Sequence, residues 1–273
     1  MYKRIASVLL AAVAFPAHAQ SAGSRVFQLG VLNGRTLDSS TPLRTDVKPG
    51  LGALIGIPES FDSPGTAVKA RDVTTLQVAL SYFMTDHIAL EGAGGIPPQS
   101  SLRGKGVVQP NANINALSVN LGADGNNPIA TSRQWSPVVL VQYYFRAPAA
   151  RWRPELGIGV TYTFFTDVTL DRDFKDQLNT TFGHTLALAN LKFPVGGTKV
   201  KAKSAPDWAP IAEAGISYAF DEHWGTTVSV SYVGLKTTST INIDAADGTR
   251  LSHSTTKIDL DTVATALLIS YKF

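Results

Sequence analysis

Chemistry needs groups that attack, pass protons or hold metals, and this 273-residue chain carries few of them. It has no cysteine, so thiol nucleophiles, disulfides, iron–sulfur clusters and Cys-ligated zinc are all excluded. Its histidines are His18, His87, His184, His223 and His253, scattered without H-E-x-x-H or any comparable ligand spacing. A Ser–His–acid set needs a third group that orients the histidine. His184 or His253 beside a loop serine is conceivable, but nothing in the sequence orients either one. Gly157-Ile158-Gly159 lacks the third glycine and the following helix of a dinucleotide-binding turn. Like Gly92-Ala93-Gly94-Gly95, it reads as small residues relieving crowding inside a strand. No cofactor, metal or catalytic residue is expected.

The remaining polar candidates, among them Glu91, Glu155 and Glu213, sit in stretches whose alternate residues are apolar. A period of two sends successive side chains to opposite faces of a strand. The clearest case is the C-terminal run from Val263 to Phe273, where Leu267, Ile269, Tyr271 and Phe273 share one face while Ser270 and Lys272 share the other. Strands of this kind are predicted near 25–33, 74–84, 87–96, 136–146, 151–165, 208–220, 223–235 and 262–273. Three links are short: Thr85-Asp86, Ala147–Ala150 and Asp221-Glu222. The other four, roughly 34–73, 97–135, 166–207 and 236–261, are long and rich in Gly, Pro, Asn, Ser and Thr. An even strand number with short turns at one rim and long loops at the other describes an antiparallel up-and-down transmembrane β-barrel. The expected fold is therefore all-β: eight strands, three short periplasmic turns and four long extracellular loops.

Composition agrees. Charged residues make up 16% of the chain, against about a quarter in soluble domains, yet beyond the N-terminus no apolar run approaches the ~20 residues of a spanning helix. Lys3 and Arg4, the apolar Ile5–Phe15 and Ala17-His18-Ala19 form a secretory signal, so residues 1–19 read as a signal peptide and 20–273 as the outer-membrane barrel. The 24 basic and 21 acidic residues, two of the former in that leader, leave a nearly neutral chain with no footprint for nucleic acid.

Aromatics gather at strand ends. Phe27, Tyr82, Phe83, Tyr143, Tyr144, Phe145, Trp152, Tyr218, Phe220, Trp224, Tyr271 and Phe273 lie near the short-turn rim; Trp135, Tyr162, Phe164, Phe165, Trp208 and Tyr232 lie near the other. Amphipathic rings favour the two membrane interfaces. Within the third long loop, Phe174, Leu178, Phe182 and Leu186 recur every four residues, predicting an amphipathic helix near 171–190.

Parity then divides each strand. Leu76, Ile158, Val230 and Ile269 belong to the lipid-facing set, which carries no charge. The inward set is polar towards the periplasm, with Gln28, Glu91, Gln142, Glu155, Glu213 and Lys272 as a lower plug. Arg25 or Arg153 would supply further positive charge, because buried charges need pairing. Towards the outside the inward set turns apolar, with Leu32, Val138, Leu140, Phe165, Ile211, Val233 and Leu235 as a candidate ligand pocket. Pro98, Pro137 and Pro210 at outer strand ends cannot donate to the ladder and mark a candidate lateral gap.

In this order, Thr75–Tyr82, the turn Thr85-Asp86-His87-Ile88-Ala89-Leu90-Glu91, Pro137–Phe145, Arg153–Phe165, Trp208–Pro210, Ala214–Tyr218, Trp224 with Ser229–Tyr232, Lys236–Thr240 and Tyr271–Phe273 resemble the outer membrane protein W (OmpW) family, which includes alkane-uptake barrels of the AlkL type. The resemblance spans nearly the whole chain after the leader. It implies an eight-stranded barrel with an apolar lumen that binds or passes small hydrophobic molecules, without cofactor or catalytic residue. The second and third long loops look longer than is usual in the family, and a single Pro137 stands where a proline pair is common. The expected partners are the lipid bilayer, small hydrophobic solutes and the outer-membrane assembly machinery that reads the strand ending at Phe273. The competing reading is a structural or surface-interaction barrel with a closed interior.

Overall fold

Alternation in the sequence becomes a closed ring. In the computed structural model, residues 21–37, 39–110 and 117–273 are described; the expected signal peptide at 1–19 lies outside them. The barrel strands are β1 (Arg25–Thr36), β2 (Val73–Phe83), β3 (Ile88–Gly95), β4 (Val138–Tyr144), β5 (Trp152–Leu170), β6 (Asp207–Ala219), β7 (Trp224–Val233) and β8 (Thr262–Lys272). Each pairs antiparallel with the next. β8 returns to β1 from Val26↔Lys272 to Thr36↔Thr262. No barrel edge is left open.

Parity holds through the ring. Leu76, Ile158, Val230 and Ile269 are 47%, 72%, 49% and 58% exposed, whereas inward neighbours such as Ala79, Glu155, Ser231 and Leu268 are buried. An uncharged apolar surface this extensive exceeds what a water-soluble monomer shows. It is the lipid face, and the chain crosses with strands. One member of the lower aromatic set departs from the expectation: Phe83 is buried inside the barrel, its ring centroid 4.8 Å from that of Tyr144, whose inward parity on β4 already turns it to the lumen. The short turn between β6 and β7 is tied by Asp221, whose Oδ1 accepts the N–H groups of Trp224 (2.7 Å) and His223 (2.8 Å). These bonds hold its carboxyl below the usual carboxylate range.

The four long connections are not irregular loops. They fold into a crown of one short two-stranded sheet, Val107–Val108 against Val119–Asn120, and two larger sheets. One runs in the order Lys199–Ser204, Lys236–Asp244, Arg250–Asp259, Leu43–Val47, Ser60–Ser63. The other extends the outer end of β5 through Ala130–Trp135 and Gln99–Lys105 to Ala67–Ala70. Both sheets turn apolar residues into one core that includes Leu43, Val68, Ile129 and Leu251. The predicted helix forms as α1 (Arg172–Leu178) and α2 (His184–Ala189), joined by a π-helical turn at Asn179–Gly183. Asp171 caps it, its Oδ1 accepting from Asp173 N at 2.9 Å and Phe174 N at 3.4 Å. Phe174, Leu178, Phe182 and Leu186 are all buried in the crown core, so the helix is a structural member of the crown.

Two expectations test this division into lipid-solvated ring and water-solvated crown. Ile158→Arg, on the lipid face, should destabilise the barrel by about 2–4 kcal/mol, read as a lower urea midpoint in lipid. Phe174→Ala should cost the crown about 3–5 kcal/mol, seen as faster amide exchange at 171–190 and 236–259 while β1–β8 stay protected.

Candidate functional site

The lumen is hollow above and filled below, and side-chain size explains both. On the inward face, Gly30 and Gly95 flank Gln77 in register on β1 and β3, and Ala93, Ala264 and Ala266 add little bulk at neighbouring levels. At Gly159 an added Cβ would run into the backbone of β4, with Leu140 Cα 2.9 Å away. The result is a cavity of about 160 Å³ in the outer half of the barrel.

Five of the seven apolar residues expected in a pocket line this cavity: Leu32, Val138, Leu140, Ile211 and Val233. The other two do not. Leu235 is buried in the crown core and Phe165 packs against that core, because β5 and the segment after β7 have already left the barrel ring at those positions. The cavity also touches residues that sequence parity did not select, notably Gln77, Gln134, Ser136, Thr161 and Thr163. Their hydroxyls are largely spent on neighbours: Thr161 Oγ1 donates to Pro137 O at 2.9 Å, and Ser136 and Thr163 share a bond of 2.9 Å.

Below lies the plug. Glu91 Oε2 accepts from Ser81 (2.8 Å), Glu155 Oε2 from Ser217 (2.9 Å), and Glu213 from Gln142 Nε2 (3.1 Å) and Ser229 (3.3 Å). Tyr144 Oη donates to Gln142 at 3.2 Å, and Gln28 Nε2 reaches Thr227 at 3.4 Å. Five of the six expected plug residues thus come together. Lys272 does not join them; it sits at the periplasmic rim with Glu222 as its charge partner. The buried cation is Arg153, 2% exposed. Its guanidinium lies over the rings of Tyr144 and Phe83 (5.1 and 5.8 Å). It donates to Phe145 O at 3.3 Å and to Asp86 O. Val26, Phe83, Ala89 and Tyr144 form an apolar seal beside it.

The wall is interrupted at one place marked by the prolines. β3 and β4 pair from Tyr143↔Ile88 to Val138↔Ala93 and no further. The next bond between the two segments is Gln134 N to Pro98 O at 3.2 Å. Between these points Gly94–Pro97 faces Trp135–Pro137 without a ladder pair. The cavity is bordered here by Gly94, Ile96, Pro97 and Pro98, and by Leu76 of the lipid-facing series. Pro210 marks no gap. It stands opposite Val160 in the β5–β6 ladder, and its carbonyl accepts Gly234 N at 3.1 Å.

No catalytic arrangement emerges at the histidines singled out. His253 is held by Asn242 Oδ1 (2.7 Å) and Thr255 Oγ1 (3.1 Å) on a crown strand, and His184 is exposed on α2. Among the described residues no cluster of His, Asp or Glu is arranged to hold a metal.

A closed eight-stranded ring with a lipid-facing apolar band, short turns at one rim and a crown at the other defines an outer-membrane β-barrel. The sequence model of the OmpW family matches residues 56–273, and the chain belongs to that family. It is 25% identical to the outer membrane protein W of Salmonella typhi over 210 residues, covering 77% of this chain and 76% of that protein. It is 23% identical to the Escherichia coli (strain K12) protein over 186 residues, 68% of each chain. Among solved structures, the crystal structure of the outer membrane protein OprG from Pseudomonas aeruginosa superposes with a TM-score of 0.67 at 20% identity, covering 94% of this chain and 98% of that one. These relatives place the protein in the outer membrane.

Among the described residues Arg153 is the one buried cation, in a plug otherwise made of acids, amides and hydroxyls. Arg153→Met should cost about 1–3 kcal/mol, since it leaves the carbonyls of Asp86 and Phe145 without their charged donor. Denaturation of the refolded barrel in lipid, followed by gel mobility with and without heating, checks this.

Proposed function

We propose that the barrel binds small hydrophobic molecules in its outer lumen and passes them sideways into the membrane. The observation that carries this reading is the junction of two features: an apolar cavity, and an unpaired stretch of wall between β3 and β4 that borders it. The plug supplies the complement. Buried Glu91, Glu155 and Arg153 fill the inner lumen, with half-buried Glu213 above them at the cavity floor, so a solute that lodges beside Leu140 has no straight path to the periplasm. The interruption at Gly94–Pro97 offers the alternative path. Transfer would be passive, driven by apolar burial worth about 25 cal/mol per Å² removed from water.

A second reading is favoured by the crown. Loops that fold around their own core present a defined surface outside the cell, which suits a structural or surface-interaction barrel whose interior stays closed. Under that reading lumen substitutions would change stability alone.

Whole-cell uptake of a labelled alkane separates the two. Leu140→Glu should reduce barrel-dependent uptake at least about tenfold, because the carboxylate would be buried in the apolar cavity without a partner. Unchanged uptake in this variant, or equal uptake by cells lacking the protein, would rule out the transport reading.

A further inference from the structure

Resting on the hydrophobic-solute reading above, we infer that the outer lumen selects apolar molecules that carry one hydrogen-bond donor, such as a medium-chain alcohol, and that Gln77 is the residue that selects them. The cavity is apolar over most of its wall, and its hydroxyl-bearing residues are mostly engaged. Thr75 donates to Ile96 O, Thr161 to Pro137 O and Thr262 to Leu260 O, while Ser136 and Thr163 bond each other. Each such threonine keeps its methyl free for an apolar neighbour.

Gln77 is different. It points inward from β2 as the innermost residue of that strand to line the cavity, flanked in register by Gly30 and Gly95, so neither adjacent strand supplies a side chain beside it. Its Oε1 is buried and accepts no hydrogen bond. A buried acceptor without a partner is costly and needs an explanation. The terminal torsion of glutamine is soft, so a small rotation turns this carbonyl into the cavity that Gln77 already lines. A solute hydroxyl placed there satisfies Oε1 while its hydrocarbon chain lies against Leu32, Val138 and Leu140. Glu213, the carboxylate that reaches the cavity from the plug, is already bonded at both oxygens, to Gln142 and Ser229. Gln77 is therefore the acceptor still in need of a donor. A pure hydrocarbon fits the same walls but leaves Oε1 unsatisfied. Discrimination by a single neutral hydrogen bond is modest, within about two- to tenfold.

The test is NMR titration of the nanodisc-embedded barrel with 1-octanol and with n-octane, each corrected for its partition into the lipid. The readouts are the methyl signals of Leu32, Val138 and Leu140 and the side-chain amide of Gln77. The expected result is that both solutes move the methyls, 1-octanol alone moves the Gln77 amide, and 1-octanol binds about fivefold tighter. In Gln77→Met, n-octane should still move the methyls, showing an intact lumen, and the preference for 1-octanol should vanish. Equal binding of the two solutes to the native chain, or a preference that survives Gln77→Met, overturns this inference and leaves the transport reading standing. Methyl signals that respond to neither solute overturn the transport reading itself, and this inference with it.

Discussion

Hydrocarbon offers no partner to a backbone N–H or C=O, and each group left unpaired there costs several kcal/mol. Everything else in this structure follows from meeting that constraint with strands. Pairing from β1 to β8 and back, sealed by the Val26↔Lys272 to Thr36↔Thr262 ladder, satisfies the wall. The single relaxation, between Ala93↔Val138 and the Pro98–Gln134 bond, therefore stands out physically. It lies at the outer end of the strands, next to a crown that supplies other partners. Prolines occur where ladder donors are dispensable, and Pro97, Pro98 and Pro137 flank this stretch.

Closure also fixes how much room is inside. Eight strands leave an interior that side chains can nearly fill, so residue size decides whether a given level is solid or open. At the inner levels Tyr144, Phe83, Arg153, Glu91 and Glu155 fill it. At the outer levels Gly94, Gly95, Ala93, Ala264 and Ala266 leave it open. The polar fill is stable in an apolar setting because nearly every member bonds another: Ser81 to Glu91, Ser217 to Glu155, and Gln142 and Ser229 to Glu213. Arg153 balances charge from below and uses two aromatic faces besides backbone carbonyls.

The crown follows ordinary soluble rules. Outside the membrane, chain segments of roughly 28 to 42 residues fold by burying apolar surface from water. Residues from all four connections meet around Phe174 and Leu251. The outer faces of these sheets carry Lys199, Lys201, Lys203, Arg44 and Lys236, mostly exposed or in loose ion pairs such as Lys201–Asp244 at 3.8 Å and Lys236–Asp259 at 3.9 Å. Exposed pairs of this kind contribute little stability. The core holds the crown, and the charges keep its surface solvated.

Residue order alone marks the eight membrane strands, the parity of each face and the plug's acidic members. A period of two is a local property, and lipid punishes any break in it; Ile158, Leu76 and Ile269 were legible for that reason. It also revealed the helix at 171–190, because four apolar residues at helical spacing announce a buried face wherever that face docks. Tertiary structure alone decided the rest. Thr-rich crown strands such as Lys236–Asp244 alternate too weakly to be read, and they pair because distant loops converge. Phe165 and Leu235 carry the lumen's residue type, yet β5 and the segment after β7 leave the ring before reaching them. Lys272 has the right parity but lies too near the rim, and Arg153 takes the buried cation's place. Gln77 reads as an ordinary inward amide until Gly30 and Gly95 are seen on either side of it. Periodicity reports which way a side chain points; only the closed ring sets what stands opposite, and how far away.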